Sequence, residues 1–216
     1  MRVFKKFRVL TKMEVQERIL DTAFNLFRQY GTRSITMDEI AQKMGISKKT
    51  LYAHFADKSD LVVNVMSRHL KLMEEQCLAG KEQSKDAIEE LFLVMKMLDD
   101  KLRNMNPVAM MDLQKFHAKA YQIFEQHKDV FMLQMVRQNL ERGIREELYR
   151  PDLDLEILSR FRTASAMFCF QPDMFAMSGF DMTRVQRVLL ENFLFGVVTL
   201  KGYKQIEEYK SKDYPK

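Results

Sequence analysis

The sequence predicts an all-α protein: nine helices in two domains, a three-helix N-terminal head and a larger helical body. Three observations carry this expectation. Seven Gly and four Pro in 216 residues leave little turn chemistry for an all-β fold, which needs a turn every few residues. Apolar side chains recur at three- and four-residue spacing over long stretches without a breaker. Two short helical patterns joined by a glycine near residue 45 then form a corner of helix-turn-helix type.

Helix 1 is expected over 13–30. Val15, Ile19, Ala23, Phe24, Phe27 and Tyr30 form its inward stripe, with Arg18, Asp21, Asn25 and Arg28 elsewhere on the wheel. Gly31 stops it. Thr36-Met37-Asp38-Glu39 is a capping box for helix 2, in which Ile40, Ala41 and Met44 face inward. Gly45 ends that helix, Ser47 caps helix 3, and Leu51 and Phe55 share its inward stripe. Asp57 opens helix 4, expected over 58–80. Ser84 is read as the cap of helix 5, to about 104, and Asn106-Pro107 as the start of helix 6. The stretch 118–149 reads as helical with a bend near His127-Lys128-Asp129. Arg150-Pro151-Asp152 breaks it, and helix 8 runs from Asp154 to about Gln171. Pro172–Phe180 is a loop, and Met182–Tyr209 reads as a single ninth helix.

The expected division is a basic arm at 1–12, a helix-turn-helix head at 13–57 and an effector-binding and dimerisation body at 58–216. The charge follows this division. Residues 1–60 hold 12 Lys/Arg against 7 Asp/Glu, whereas 61–216 hold 23 of each. An excess confined to one end suits a polyanionic partner there. The arm, MRVFKKFRVLTK, has five basic residues and no acid; it reads as a solvated tail, with a DNA-reaching arm as the alternative.

On helix 3 the inward set Leu51/Phe55 forces Lys48, Lys49, Thr50, Tyr52 and Ala53 outward. That exposed face can enter a major groove. Lys49 is the candidate for a guanine edge, and Thr50 and Tyr52 for phosphate or a thymine methyl. Ser47 and Thr36 sit at helix starts, where free N–H groups suit a phosphate oxygen. For both, plain capping is the bland reading. His54 divides between a phosphate donor and a packed structural histidine.

The segment from Ile19 to Met66 resembles the N-terminal domain of the tetracycline-repressor (TetR-like) family of bacterial regulators. The resemblance rests on Ala23, Phe27, Gly31, Ser34, Thr36, Ile40-Ala41, Gly45-Ile46-Ser47, Thr50-Leu51-Tyr52-Ala53-His54-Phe55, Lys58 and Leu61. Lys48-Lys49 stand where many members have a glycine or small residue, so no operator sequence carries over. The resemblance implies a DNA-binding regulator of transcription, most simply a repressor on a double-stranded, palindromic operator. Lys58 matches the family's phosphate-contacting lysine. It also implies a homodimer whose last two helices pair in a four-helix bundle. An effector bound between helices 4 and 8 would shift helix 4 and part the heads.

The body holds most of the 17 Met and 16 Phe. Residue by residue, plain core is the simpler reading, yet Met-rich surfaces adapt to varied ligands. A small hydrophobic effector is therefore expected among Met95, Met110, Met135 and Phe168, with Gln114, His117 and Tyr121 as hydrogen-bonding partners. Helix 9 is apolar around too much of its circumference for one buried side, which points to a dimer face through Leu189, Phe193, Val197 and Leu200. No glycine-rich phosphate loop, metal triad or nucleophile elbow is present, so catalysis and a cofactor are not expected. Cys77 and Cys169 match no metal or redox spacing. No apolar run is long enough to span a bilayer, and a cytoplasmic protein is expected. The rivals are a DNA-binding protein without an effector and a membrane-surface protein attached through residues 1–12.

Overall fold

The computed structural model describes residues 11–103, 105–171, 174–175 and 179–213. The fold is all-α, with ten helices among the described residues: α1 Lys12–Tyr30, α2 Met37–Met44, α3 Lys48–Tyr52, α4 Lys58–Gln83, α5 Ala87–Leu102, α6 Val108–Phe116, α7 118–145, α8 Leu155–Ala166, α9 Met182–Val197 and α10 Leu200–Asp213. Residues 1–10 of the basic arm and most of the Pro172–Phe180 loop lie outside the described residues.

Local chemistry explains most helix starts. Thr11 with Glu14, and Thr36 with Glu39, form reciprocal capping boxes at α1 and α2. Ser47, Asp57 and Asp154 accept backbone N–H groups at the starts of α3, α4 and α8. The expected bend in the 118–149 stretch is a π-helical turn at Lys128–Met132, after which the helix runs on to Arg145.

Several boundaries differ from expectation. The cap of α5 is Asp86, whose carboxylate accepts from the N–H groups of Ile88 and Glu89. Ser84 instead closes α4, four residues past Gly80, its N–H reaching Gly80 O at 3.0 Å. Helix α8 ends at Ala166, with a 3-10 turn at Phe168–Phe170 beyond it. Tyr30 is half exposed rather than inward.

The largest difference is the expected ninth helix, which is two helices broken at Val198-Thr199. A distant segment causes the break. Val198 forms an antiparallel bridge with Tyr149, Arg150 N donates to Val197 O and Thr199 N donates to Leu148 O, both at 2.9 Å. Thr199 Oγ1 donates to Glu147 O at 2.9 Å and accepts from Gly202 N at 3.2 Å, starting α10. Gly202 packs so closely on Leu148 O that any Cβ would collide with it.

The packing places the head on the body through a shared core. Ile19, Ala23 and Phe27 of α1, Ile40 and Ala41 of α2, and Leu51 and Phe55 pack with Leu61, Val62 and Val65 of α4 and with Leu113 and Ala120 of α6 and α7. A second core joins α5, α7, α9 and α10 around Ile88, Met95, Leu140, Tyr149, Phe193, Leu194 and Ile206. A smaller cluster around Leu102, Cys169, Met182 and Val185 closes the far end. Helix α4 therefore runs from the head into the body. No helix among the described residues is long and apolar enough to cross a membrane.

Candidate nucleic-acid interface and the body cavity

The corner between α2 and α3 turns on Gly45, whose backbone is left-handed (φ 66°, ψ 30°), a conformation a Cβ disfavours by about 1 kcal/mol. Leu51 and Phe55 are buried to 0% and 1% exposure beneath it, with Ala41 at 2%. Burying them turns the opposite side of α3 outward: Ser47, Lys48, Lys49 and Tyr52 are exposed and Thr50 is half-buried. The expected ridge is thus on the surface.

Its members differ in freedom. Lys48 Nζ is held at 2.5 Å by Asp38 of α2, which fixes it across the corner and spends part of its charge. Lys49 has no ion pair among the described residues and is the more available cation. Ser47 Oγ accepts from Thr50 N at 3.0 Å and lies 2.9 Å from Thr50 Oγ1. Thr36 is occupied by its own cap: its N–H and hydroxyl both donate to the Glu39 carboxylate, at 2.6 and 2.8 Å. Those bonds, the backbone one foremost, hold the Glu39 carboxyl below its usual range.

His54 is half-buried beside Phe55, its Nδ1 buried without a partner among the described residues. Lys58 does not project freely. It is half-buried, with Nζ 3.4 Å from Arg33 O on the loop between α1 and α2. Burial pulls its pKa down, against the opposing pull of Asp112 and Glu39. Arg33, which the sequence did not mark, is exposed on the same loop. Its N–H is fixed by Asp112 at 2.9 Å, and its guanidinium lies over Phe116 at 5.3 Å.

Behind the head, the body encloses a largely apolar cavity of about 170 Å³, far above the roughly 10–15 Å³ that one water needs. Its walls come from α1, α4, α5, α6, α7, the end of α8 and α9, and include six methionines: Met66, Met73, Met105, Met110, Met132 and Met167. Of the seven residues expected around an effector, Met110 lines it. Met95 belongs instead to the second core at 2% exposure, because α5 turns that face toward Leu140 and Tyr149. Gln114 is exposed on α6; His117, Tyr121, Met135 and Phe168 are half-buried outside the lining. Helical periodicity marks an inward face but not which of two cores that face meets.

The cavity also holds groups the sequence did not mark. Arg28, expected on the solvent side of α1, is half-buried at its edge, its Nη1 donating to Lys101 O at 3.0 Å and Asp100 O at 3.3 Å. His69 stacks on Phe24 with centroids 3.9 Å apart. Burial, then the nearby charges of Lys101 and Arg28, push its pKa down to about 3. The signal for Arg28 was its position one turn after Phe24, on a stripe that only the packing of α5 reveals. Among the described residues no group of three His, Cys, Asp or Glu could hold a metal ion.

The expected dimer residues separate into two sides. Phe193 and Val197 are buried in the protein's own second core at 4% and 2% exposure, and Leu189 packs on the Met182 and Val185 cluster. Leu200 is 84% exposed. Large apolar side chains left exposed on these helices are Ile157 and Phe161 of α8, Val188 and Phe195 of α9, and Leu200 and Tyr203 of α10, with Phe195 and Tyr203 in ring contact.

Comparisons with known proteins agree with this architecture. Residues 19–65 match the profile of the bacterial regulatory proteins of the tetR family. An HTH-type transcriptional regulator of Staphylococcus aureus (strain bovine RF122 / ET3-1) is 39% identical over 90 residues, 42% of this chain and 46% of that protein. The match thus spans about half the length of that relative. A TetR-family regulator from Agrobacterium tumefaciens superposes with a TM-score of 0.73 at 16% identity, covering 88% of this chain and 100% of that one. SmeT, the repressor of a Stenotrophomonas maltophilia multidrug efflux pump, is similar in its complex with triclosan, with a TM-score of 0.63, 16% identity and coverage of 86% and 92%. At these identities the structural likeness is one of fold.

Proposed function

We propose that the chain is a TetR-like bacterial transcriptional regulator, a reading its head supports, that binds a near-palindromic operator as a homodimer and is released by a small effector held in the body cavity. The observation that carries the DNA half is the exposed edge from Ser47 to Tyr52 above the buried Leu51 and Phe55. A short helix so presented fits a major groove, with the residues near its start closest to base edges. A dimer places two such helices on half-sites about one helical turn, or a multiple, apart.

The exposed apolar residues of α8, α9 and α10 support a dimer face on these helices, since exposed large apolar side chains mark interaction surfaces. The Met-rich cavity supports the effector half, and it favours this reading over a regulator without a ligand. The solved SmeT complex with triclosan gives a small molecule bound to a protein of this fold. Helix α4 supplies the link, because it lines the cavity with Met66, His69 and Met73 and begins beside the head at Lys58.

A footprint upstream of the protein's own gene, repeated with two variants, tests the DNA reading. Lys49→Ala is expected to cost about 1–3 kcal/mol and to relax preference at one base pair. Unchanged base preference in that variant would remove Lys49 from the reading. Lys58→Ala is expected to weaken binding to all sequences alike and to flatten the slope of log K against log salt by about 0.9, one phosphate contact's worth. A slope equal to the parent's would leave Lys58 as a purely structural tie to the Arg33 carbonyl.

A further inference from the structure

The cavity is closed by apolar side chains on most sides, but its edge at α1 and α5 is cationic. Arg28 and Lys101 line both the cavity and an adjoining open groove of about 590 Å³ between α1, α4 and α5. The Arg28 guanidinium donates to main-chain carbonyls and lies over the Phe24 ring, with no carboxylate partner, and its Nε is buried without a hydrogen-bond partner among the described residues. Lys101 Nζ has no hydrogen bond or ion pair among the described residues. The neighbouring acids do not neutralise this pair. Asp21 is tied to Arg68, which also holds Glu17 at 3.1 Å; Asp100 lines the groove but is exposed. On the deeper wall His127 already has Glu74 at 2.9 Å. The low pKa of His69, to which Arg28 and Lys101 contribute, agrees with a positive potential at this edge.

Two residues of the cavity lining, 4% and 2% exposed, also carry buried polar atoms without partners among the described residues: Thr32 Oγ1 and Gln186 Oε1. A buried polar group without a partner costs about 1–3 kcal/mol. A wholly apolar guest would leave Arg28 Nε and Lys101 Nζ without an acceptor. We infer that the site takes an anionic amphiphile, a carboxylic acid with an apolar tail, its carboxylate between Arg28 and Lys101 and its tail among the methionines. This rests on the cavity being the effector site and names the class of effector. Arg28 belongs to α1 of the head and binds the last turn of α5, so an anion there competes for the bond that joins head to body. The effector thus acts on the head through its charged end.

Isothermal titration of the full-length protein at pH 7.5 with decanoate, decanol and decylammonium tests the charge. Decanoate is expected to bind roughly tenfold tighter than decanol, as a charge-assisted hydrogen bond would give, and decylammonium not at all. Lys101→Gln removes a side chain that holds nothing else in the fold, and is expected to erase most of the preference for acid over alcohol. Arg28→Lys keeps the charge and is expected to keep the preference. Equal binding of decanol and decanoate, or tightest binding of decylammonium, would overturn the anionic assignment while leaving the cavity as an effector site. Failure of all three to bind would remove the cavity reading as well. A preference that survives Lys101→Gln in full would place the carboxylate elsewhere and overturn the site.

Discussion

Gly143→Ala is expected to destabilise the protein by about 3 kcal/mol or more, the upper end of what overpacking costs. Gly143 lies near the end of α7, and a Cβ there would fall within 2.5 Å of three ring carbons of Tyr149. That ring cannot step aside. Tyr149 is 1% exposed, its hydroxyl donates to Asn139 Oδ1 at 3.1 Å and Ala87 O at 3.3 Å, and Asn139 Nδ2 donates to the same Ala87 carbonyl at 2.8 Å. The backbone is equally fixed, because the N–H groups of Leu148 and Tyr149 both donate to Gly143 O, at 2.9 and 3.0 Å. In a chain of this size the cost corresponds to a fall in the thermal midpoint of roughly 6–12 °C, read by calorimetry. Tyr149→Phe, which removes only the hydroxyl, is expected to cost about 1 kcal/mol. An alanine variant melting within a degree or two of the parent would mean that the ring has room to move.

The same tyrosine shows where sequence reading stops. The head was legible because its signals are local. Thr36 finds Glu39 three residues on, Ser47 finds Thr50, and Gly45 needs no distant partner to take its left-handed turn. Leu51 and Phe55 lie four apart on one stripe, so the outward residues of α3 followed from them. In the body the deciding contacts are remote. The break between α9 and α10 is made by Leu148, Tyr149 and Arg150, some fifty residues earlier, through bonds to Val197 and Thr199. Without them the apolar run through Phe193, Val197 and Leu200 reads as one helix.

Remote packing also redistributed the candidate site. Arg28 looked solvent-facing on a helical wheel, and only the carbonyls of Asp100 and Lys101 explain its inward turn. Phe193 and Leu200 carry equal hydrophobicity in a sequence pattern. The first fills the protein's own core and the second stands 84% exposed, a distinction set by the break at Val198. Periodicity could say that α9 has two apolar sides but not which residues lie on each.

Arg142→Met is the second substitution with a large expected effect, about 3–5 kcal/mol, the range for removing one partner of a buried ion pair. Arg142 ties three helices together. Its Nη1 reaches Glu90 Oε2 of α5 at 3.0 Å and Ser84 Oγ at 2.6 Å. Its Nη2 reaches Ser84 O at 3.0 Å, and Nε reaches Glu146 Oε1 at 2.6 Å. Glu146 in turn accepts from Ala87 N at 2.7 Å. With methionine in place, Glu90, 2% exposed, is left as a buried carboxylate without its cation, and that isolated charge is the main cost. The double variant Glu90→Leu/Arg142→Met is therefore expected to be more stable than Arg142→Met alone, since well-packed apolar replacements of buried pairs are often neutral or better. Urea melts of the parent, the single and the double variant decide it. A double variant no more stable than the single would assign the loss to the ties at Ser84, which fix the far end of α4. In the proposed effector mechanism those ties hold the end of α4 opposite the head, against which a shift at the cavity would act.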